Sequence, residues 1–96
     1  MTNPAFVPLK HIVASHLEEG DGVLVDLNTR QYYQLNESAM LIWRALENGF
    51  SFDQIVKEIV TTYTVSNEQA ITSAEALIRQ LQRRKLVDLQ DRTVTD

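Results

Sequence analysis

The chain has 96 residues, a formal net charge of −4, a sequence pI of about 5.0 and no cysteine. That length suits one domain, since two would each be too small to bury a core. A composition of 44 % hydrophobic and 23 % charged residues is that of an ordinary globular chain. Without cysteine there are no disulfides, thiolate zinc or iron–sulfur sites and no thiol nucleophile, which fits a reducing cytoplasm. No segment approaches the ~20 apolar residues of a membrane span. Met1–Lys10, with Pro4 and Pro8 and no apolar run, is not a signal peptide. The acidic balance argues against non-specific nucleic-acid binding, which rests on neutralising phosphates.

Residues 1–10 read as an extended lead-in, residues 11–89 as a single domain and residues 90–96 as a tail. His11–Leu17 is a first strand, closed by the turn signal Glu19-Gly20-Asp21-Gly22. Val23–Leu27 is a second strand, and Asn28-Thr29-Arg30 turns the chain into a third, Gln31–Leu35. Loops this short predict an antiparallel meander. Beyond residue 36 the period becomes helical. Asn36 caps a helix with the stripe Ala39, Met40, Ile42, Trp43 and Leu46, which Gly49 ends. Ser51 with Gln54 and Ser66 with Gln69 are capping boxes for two more helices. The last of these turns Ala70, Ala74, Leu77, Ile78 and Leu81 inward. The expectation is an α+β domain, a three-stranded antiparallel meander followed by three helices, with a likeness to winged helix-turn-helix folds.

No catalytic constellation emerges, and neither an enzymatic activity nor a metal or cofactor is expected. His11 and His16 sit five apart along a strand, an odd spacing that sends them to opposite faces. The glycines Gly20, Gly22 and Gly49 all serve turns or a cap, leaving no phosphate loop. Glu18-Glu19 lead into a turn, while Asp53 and Glu68 occupy first helical turns, where they complement the dipole.

Two features exceed routine folding. Arg79, Arg83, Arg84 and Lys85 crowd the end of the last helix, either as dipole compensation or as a docking surface for an acidic partner. A winged-helix-like DNA-binding regulator is the alternative such a cluster raises, although Glu75 and the net charge oppose it. The other feature is the third strand, Gln31-Tyr32-Tyr33-Gln34-Leu35, which places aromatics on both faces. It is an edge of the meander and carries none of the lysines or prolines that block strand pairing. Either a tyrosine merely covers the last helix, or the edge captures a peptide by strand addition. A second copy of the chain could also pair there and give a homodimer.

The run Val23-Leu24-Val25-Asp26-Leu27-Asn28-Thr29-Arg30-Gln31-Tyr32-Tyr33-Gln34-Leu35-Asn36-Glu37, then Ile42-Trp43, Ile55-Val56, Leu77-Ile78, Leu81 and Leu86-Val87, resembles the PqqD-like family. The resemblance spans about residues 7–89. One departure is Lys85, which stands where that family has a glycine suited to a left-handed cap. The resemblance implies a non-catalytic, cytoplasmic chaperone of ribosomally made, modified peptides. Such a protein binds the leader segment of a precursor between the third strand and the third helix. It presents that precursor to a modifying enzyme, such as a radical S-adenosylmethionine enzyme or a leader peptidase. Carried over by position, Gln31, Tyr32, Tyr33 and Gln34 would pair with the leader backbone. Leu77, Ile78 and Leu81 would floor the groove, and Arg79, Arg83 or Arg84 would meet acidic leader residues.

Overall fold

A computed structural model describes residues 5–90; the first four residues of the expected lead-in and residues 91–96 of the expected tail lie outside the described residues. Two antiparallel sheets are present. One has the order β2 (Ile12–His16), β3 (Gly22–Asp26), β4 (Gln31–Leu35); the other pairs β1 (Ala5–Pro8) with β5 (Val87–Gln90). Between β4 and β5 lie α1 (Glu37–Glu47), α2 (Phe52–Tyr63) and α3 (Asn67–Arg83). The meander and three helices stand where sequence periodicity puts them. The small β1–β5 sheet was not expected. It takes part of the lead-in and Gln90 of the tail into regular structure, with Phe6 opposite Leu89 and Val7 opposite Asp88.

Alternation in the strands decides which face is buried. Ile12, Leu24 and Leu35 point to the helices and join Met40, Trp43, Ile55, Ile78, Leu81 and Leu86 in one core. Their neighbours Val13, Val25 and Tyr32 point the other way. Gly22 is where α1 crosses β3: a Cβ there would collide with the side chain of Met40. Trp43 is fully buried, and its indole N–H donates to Glu47 Oε2 at 2.9 Å, so the ring packs without an orphaned donor.

The helix signals act as read. Asn36 Oδ1 accepts from the Ala39 N–H at 2.9 Å, and both serine capping boxes close in both directions. Each box satisfies two backbone groups that a helix start would otherwise leave bare.

Two helix ends use the same device with different residues. After α1, Gly49 at φ +79° lets the Phe50 N–H reach the Ala45 carbonyl at 3.0 Å. After α3, Lys85 takes φ +60°, and the Leu86 N–H reaches the Leu81 carbonyl at 2.9 Å. This is the Schellman closure, with buried Leu81 and Leu86 as its apolar contact. Lysine therefore adopts the left-handed conformation at a cost of ~1 kcal/mol that glycine avoids. Lys85→Gly is expected to raise unfolding free energy by about 1 kcal/mol and Gly49→Ala to lower it by about the same. Urea denaturation of the two variants measures both signs.

Candidate functional site

β4 is an edge of its sheet: β3 pairs with one side of it, and no strand among the described residues pairs with the other. Its start is set by Asp26, at the end of β3. The Asp26 carboxylate accepts from the Asn28 N–H at 2.9 Å and the Thr29 N–H at 3.2 Å, while its carbonyl accepts from the Arg30 N–H at 2.6 Å. Burial pushes this carboxyl up, but the Thr29 and Asn28 bonds and the nearby His11 imidazole, 3.6 Å away, bring it below its ordinary value.

Beside the open edge lies a groove of about 1020 Å³. Gln34 and Leu35 of β4 form one side. Glu68, Gln69, Thr72, Ser73, Ala76, Leu77 and Gln80 of α3 form the other. The floor is apolar, built from Ala39 and Ile42 of α1, Ile59 and Tyr63 of α2, and Val65. Glu68 is the one charged side chain in the lining. Near the groove, the Arg84 guanidinium lies 5.2 Å from the centre of the Tyr33 ring, a cation–π contact joining the end of α3 to β4. The Tyr33 hydroxyl donates to Gln31 Oε1 at 2.6 Å.

The groove is therefore bounded by a strand edge on one side and a helix with uncharged polar and small side chains on the other. Unpaired backbone groups on an edge are able to pair with an extended chain, and an apolar floor beside them is able to take its side chains. Among the described residues no group of three or more histidine, aspartate or glutamate side chains gathers where it could hold a metal ion.

The residues singled out from sequence divide by position. Gln31, Tyr32, Tyr33 and Gln34 make up the edge strand, with Tyr32 73 % exposed on the outward face. Leu77 lines the groove. Ile78 and Leu81, expected as its floor, are buried in the core instead, because they fall on the face of α3 that packs inward. Arg79 does not face the groove either. It lies with Glu75 and Phe6 along the opposite flank of α3. Arg83 is exposed at the last turn, and Arg84 turns towards Tyr33. The basic cluster thus splits over two flanks and forms no single cationic face of the kind a DNA groove needs. Sequence reasoning missed Gln69, Ser73 and Gln80, which with Leu77 follow an i, i+4, i+8, i+11 spacing along one flank of α3, and it missed Tyr63. The helical spacing could have found the first three once the inward stripe was narrowed to Ala70, Ala74, Ile78 and Leu81.

Tyr63 borders both the groove and a smaller cavity of about 360 Å³ that reaches Glu37 and Phe50. Its hydroxyl is buried and finds no hydrogen-bond partner among the described residues. Burial, and then the Glu37 carboxylate, hold its pKa above the ordinary value, so it stays neutral.

The sequence pattern of the family Coenzyme PQQ synthesis protein D (PqqD) matches residues 21–87. No curated protein matches. Two solved structures are similar. "TbiB1 in Complex with the TbiA(beta) Leader Peptide" has TM-score 0.79 and 24 % identity, over 94 % of this chain and 99 % of that one. "Lasso peptide synthetase B1 complexed with the leader peptide" has TM-score 0.78 and 26 % identity, over 86 % of this chain and 96 % of that one.

Two substitutions probe the framework of the groove. Tyr63→Phe removes a buried, unpaired hydroxyl and is expected to stabilise the protein by about 1 kcal/mol in thermal or urea unfolding. Asp26 has a depressed pKa, so its contribution is present above the unfolded carboxylate value and is lost as pH falls through the folded one. Unfolding measured from pH 7 to pH 2 is expected to show Asp26→Asn less stable at neutral pH and converging on the parent in acid.

Proposed function

The chain belongs to the PqqD family, and from that premise we propose that it is a peptide-binding chaperone for ribosomally made precursor peptides, not an enzyme in its own right. The observation that carries the proposal is the open β4 edge beside the groove walled by α3. The leader segment of a precursor adds to β4 as a further antiparallel strand, with its backbone pairing along Gln31, Tyr32, Tyr33 and Gln34. Side chains on one face of the leader enter the groove against Leu77, Gln69 and Ser73 and reach its floor at Ile42, Ile59 and Tyr63. Arg84, already held over Tyr33, and exposed Arg83 meet acidic residues of the leader. The lasso peptide synthetase B1 structure, solved with a leader peptide, supports this reading, as it shares the fold at 26 % identity.

The held precursor is then acted on by a separate protein. A radical S-adenosylmethionine enzyme or a leader peptidase fits that role, and the chaperone contributes binding and not chemistry. The working unit is a single peptide-recognition domain in the cytoplasm. No helix among the described residues is long and apolar enough to cross a membrane.

The test uses the leader segment of a short precursor peptide sought among the reading frames beside the chain's gene. Neighbouring N–H groups on a strand point to opposite sides, so of Tyr33→Pro and Gln34→Pro one removes a bond to β3 and the other a bond on the open edge. The second is expected to keep the fold, by circular dichroism, and to lose at least about tenfold in affinity by calorimetry, or ~1.4 kcal/mol. Tyr33→Asp is expected to weaken binding similarly, since it also breaks the Arg84 contact. Unchanged affinity in all three variants would overturn strand addition.

A further inference from the structure

Tyr63 is the last residue of α2 and the one residue that borders both the groove and the smaller cavity behind it. Its hydroxyl is the only buried side-chain nitrogen or oxygen among the described residues that lacks a hydrogen-bond partner. By contrast, the Trp43 indole N–H has Glu47, and the buried Asp26 carboxylate has two backbone N–H groups. A phenol buried bare has given up its water for nothing, and a phenylalanine there would fold without that loss. Folding alone gives no reason for the oxygen.

A second cost lies at the next residue. Thr64 sits at φ +54°, ψ +47°, a left-handed conformation that β-branched residues rarely adopt. Its N–H still reaches the Val60 carbonyl at 2.9 Å, and the chain continues into Val65 of the groove lining. Two unfavourable features thus meet at one corner of the floor, a pattern that marks places shaped for a ligand.

The surroundings decide what kind of group fits. Ala39, Ile42, Ile59 and Val65 are apolar, which suits a guest with an apolar stem. Glu37 acts on the hydroxyl from the cavity side and Glu68 stands in the groove wall, so a carboxylate is repelled. An ammonium or guanidinium would have to leave water for an apolar floor. A neutral hydroxyl or carboxamide remains, and either can give or accept a bond with a phenol. Because the oxygen is buried in the free protein, the ring has to tilt for a guest to reach it. The cavity of about 360 Å³ behind it leaves room for that.

We propose that Tyr63 is a specificity-determining residue of the groove, its hydroxyl bonding a neutral hydroxyl- or carboxamide-bearing side chain of the bound leader. The inference rests on the leader-binding reading given above and adds a contact from α2 to those of β4 and α3. Folding has already stripped the hydroxyl of water, so the new bond is made without that loss being incurred again. A leader with an apolar isostere at that position forgoes the bond and is discriminated against.

The experiment uses a synthetic peptide of the leader segment sought among the reading frames beside the chain's gene. A peptide series replaces each neutral polar side chain in turn by an apolar isostere, such as threonine by valine, tyrosine by phenylalanine or glutamine by methionine. Calorimetry measures the series against the parent protein and Tyr63→Phe, with circular dichroism and thermal melting to check the fold. Tyr63→Phe is expected to melt higher than the parent, yet to bind the unaltered leader about tenfold more weakly. One altered peptide is expected to lose about the same factor against the parent and no more against Tyr63→Phe. A merely structural role of Tyr63 does not produce that coupling. Parent and Tyr63→Phe binding the leader within about twofold of each other would overturn the proposal while leaving leader binding intact. Losses that multiply at every peptide position, with no coupled pair, overturn it as well. A parent that does not bind the leader overturns both readings.

Discussion

The structure depends on one unmet requirement of β-sheet chemistry. Three helices pack on a single face of a three-strand meander, and none of them covers the outer edge of β4. A strand edge left open is ordinarily a hazard, blunted by lysine, proline, a bulge or a covering element. Among the described residues β4 has none of these: Gln31, Tyr32, Tyr33 and Gln34 are uncharged and suited to pairing. The rest of the fold holds that edge in place. Asp26 sets where β4 begins, Leu35 anchors its end in the core, and Asn36 starts α1 one residue later. α3 then runs beside it as the far wall of the groove.

That wall depends on details at its end. Lys85 adopts a left-handed conformation so that Leu86 can fold back under Leu81, and the chain can pass directly into β5. β5 pairs with β1 from the other end of the described chain, closing the domain behind α3. The strain at Lys85 is tolerated because the Leu81–Leu86 contact and the two backbone bonds overdetermine the turn. Arg84, one residue earlier, is thereby presented to Tyr33. A glycine would make the turn easier, but the position is exposed and the packing already specifies the geometry.

Much of this was legible in the sequence because the relevant signals are local. Short turns between β-branched runs determine a meander, and serine–glutamine pairs determine helix starts. The edge character of β4 follows from strand order alone. The β1–β5 sheet was not legible, since each strand is four residues long and its partner lies about 80 residues away. No local pattern encodes such a pairing. Which flank of α3 borders the groove was not legible for a different reason. A helix with apolar residues at 70, 74, 77, 78 and 81 has a broad stripe, and periodicity does not say which border of it touches neighbours and which borders a groove. The structure resolves this at Leu77, half-buried on the groove side, against Ile78 and Leu81 in the core. Arg79 then falls on the far flank by helical rotation, and the apparent basic cluster separates.

Under the proposed function, the division of chemistry between edge and groove would let so small a protein recognise a peptide. Backbone pairing along β4 is nearly independent of sequence, and each hydrogen bond contributes only about 0.5–1.5 kcal/mol net. Four residues of edge would therefore hold an extended chain without identifying it. Discrimination has to come from the groove, where a wrong side chain leaves polar atoms of Gln69, Ser73 or Gln80 desolvated and unpaired, or leaves the Ile42–Ile59 floor poorly filled. A near-neutral lining suits this, because fit decides the outcome more than charge does. On that proposal the protein would hold a precursor while a second protein acts and then release it, and an edge strand of five residues would limit its grip.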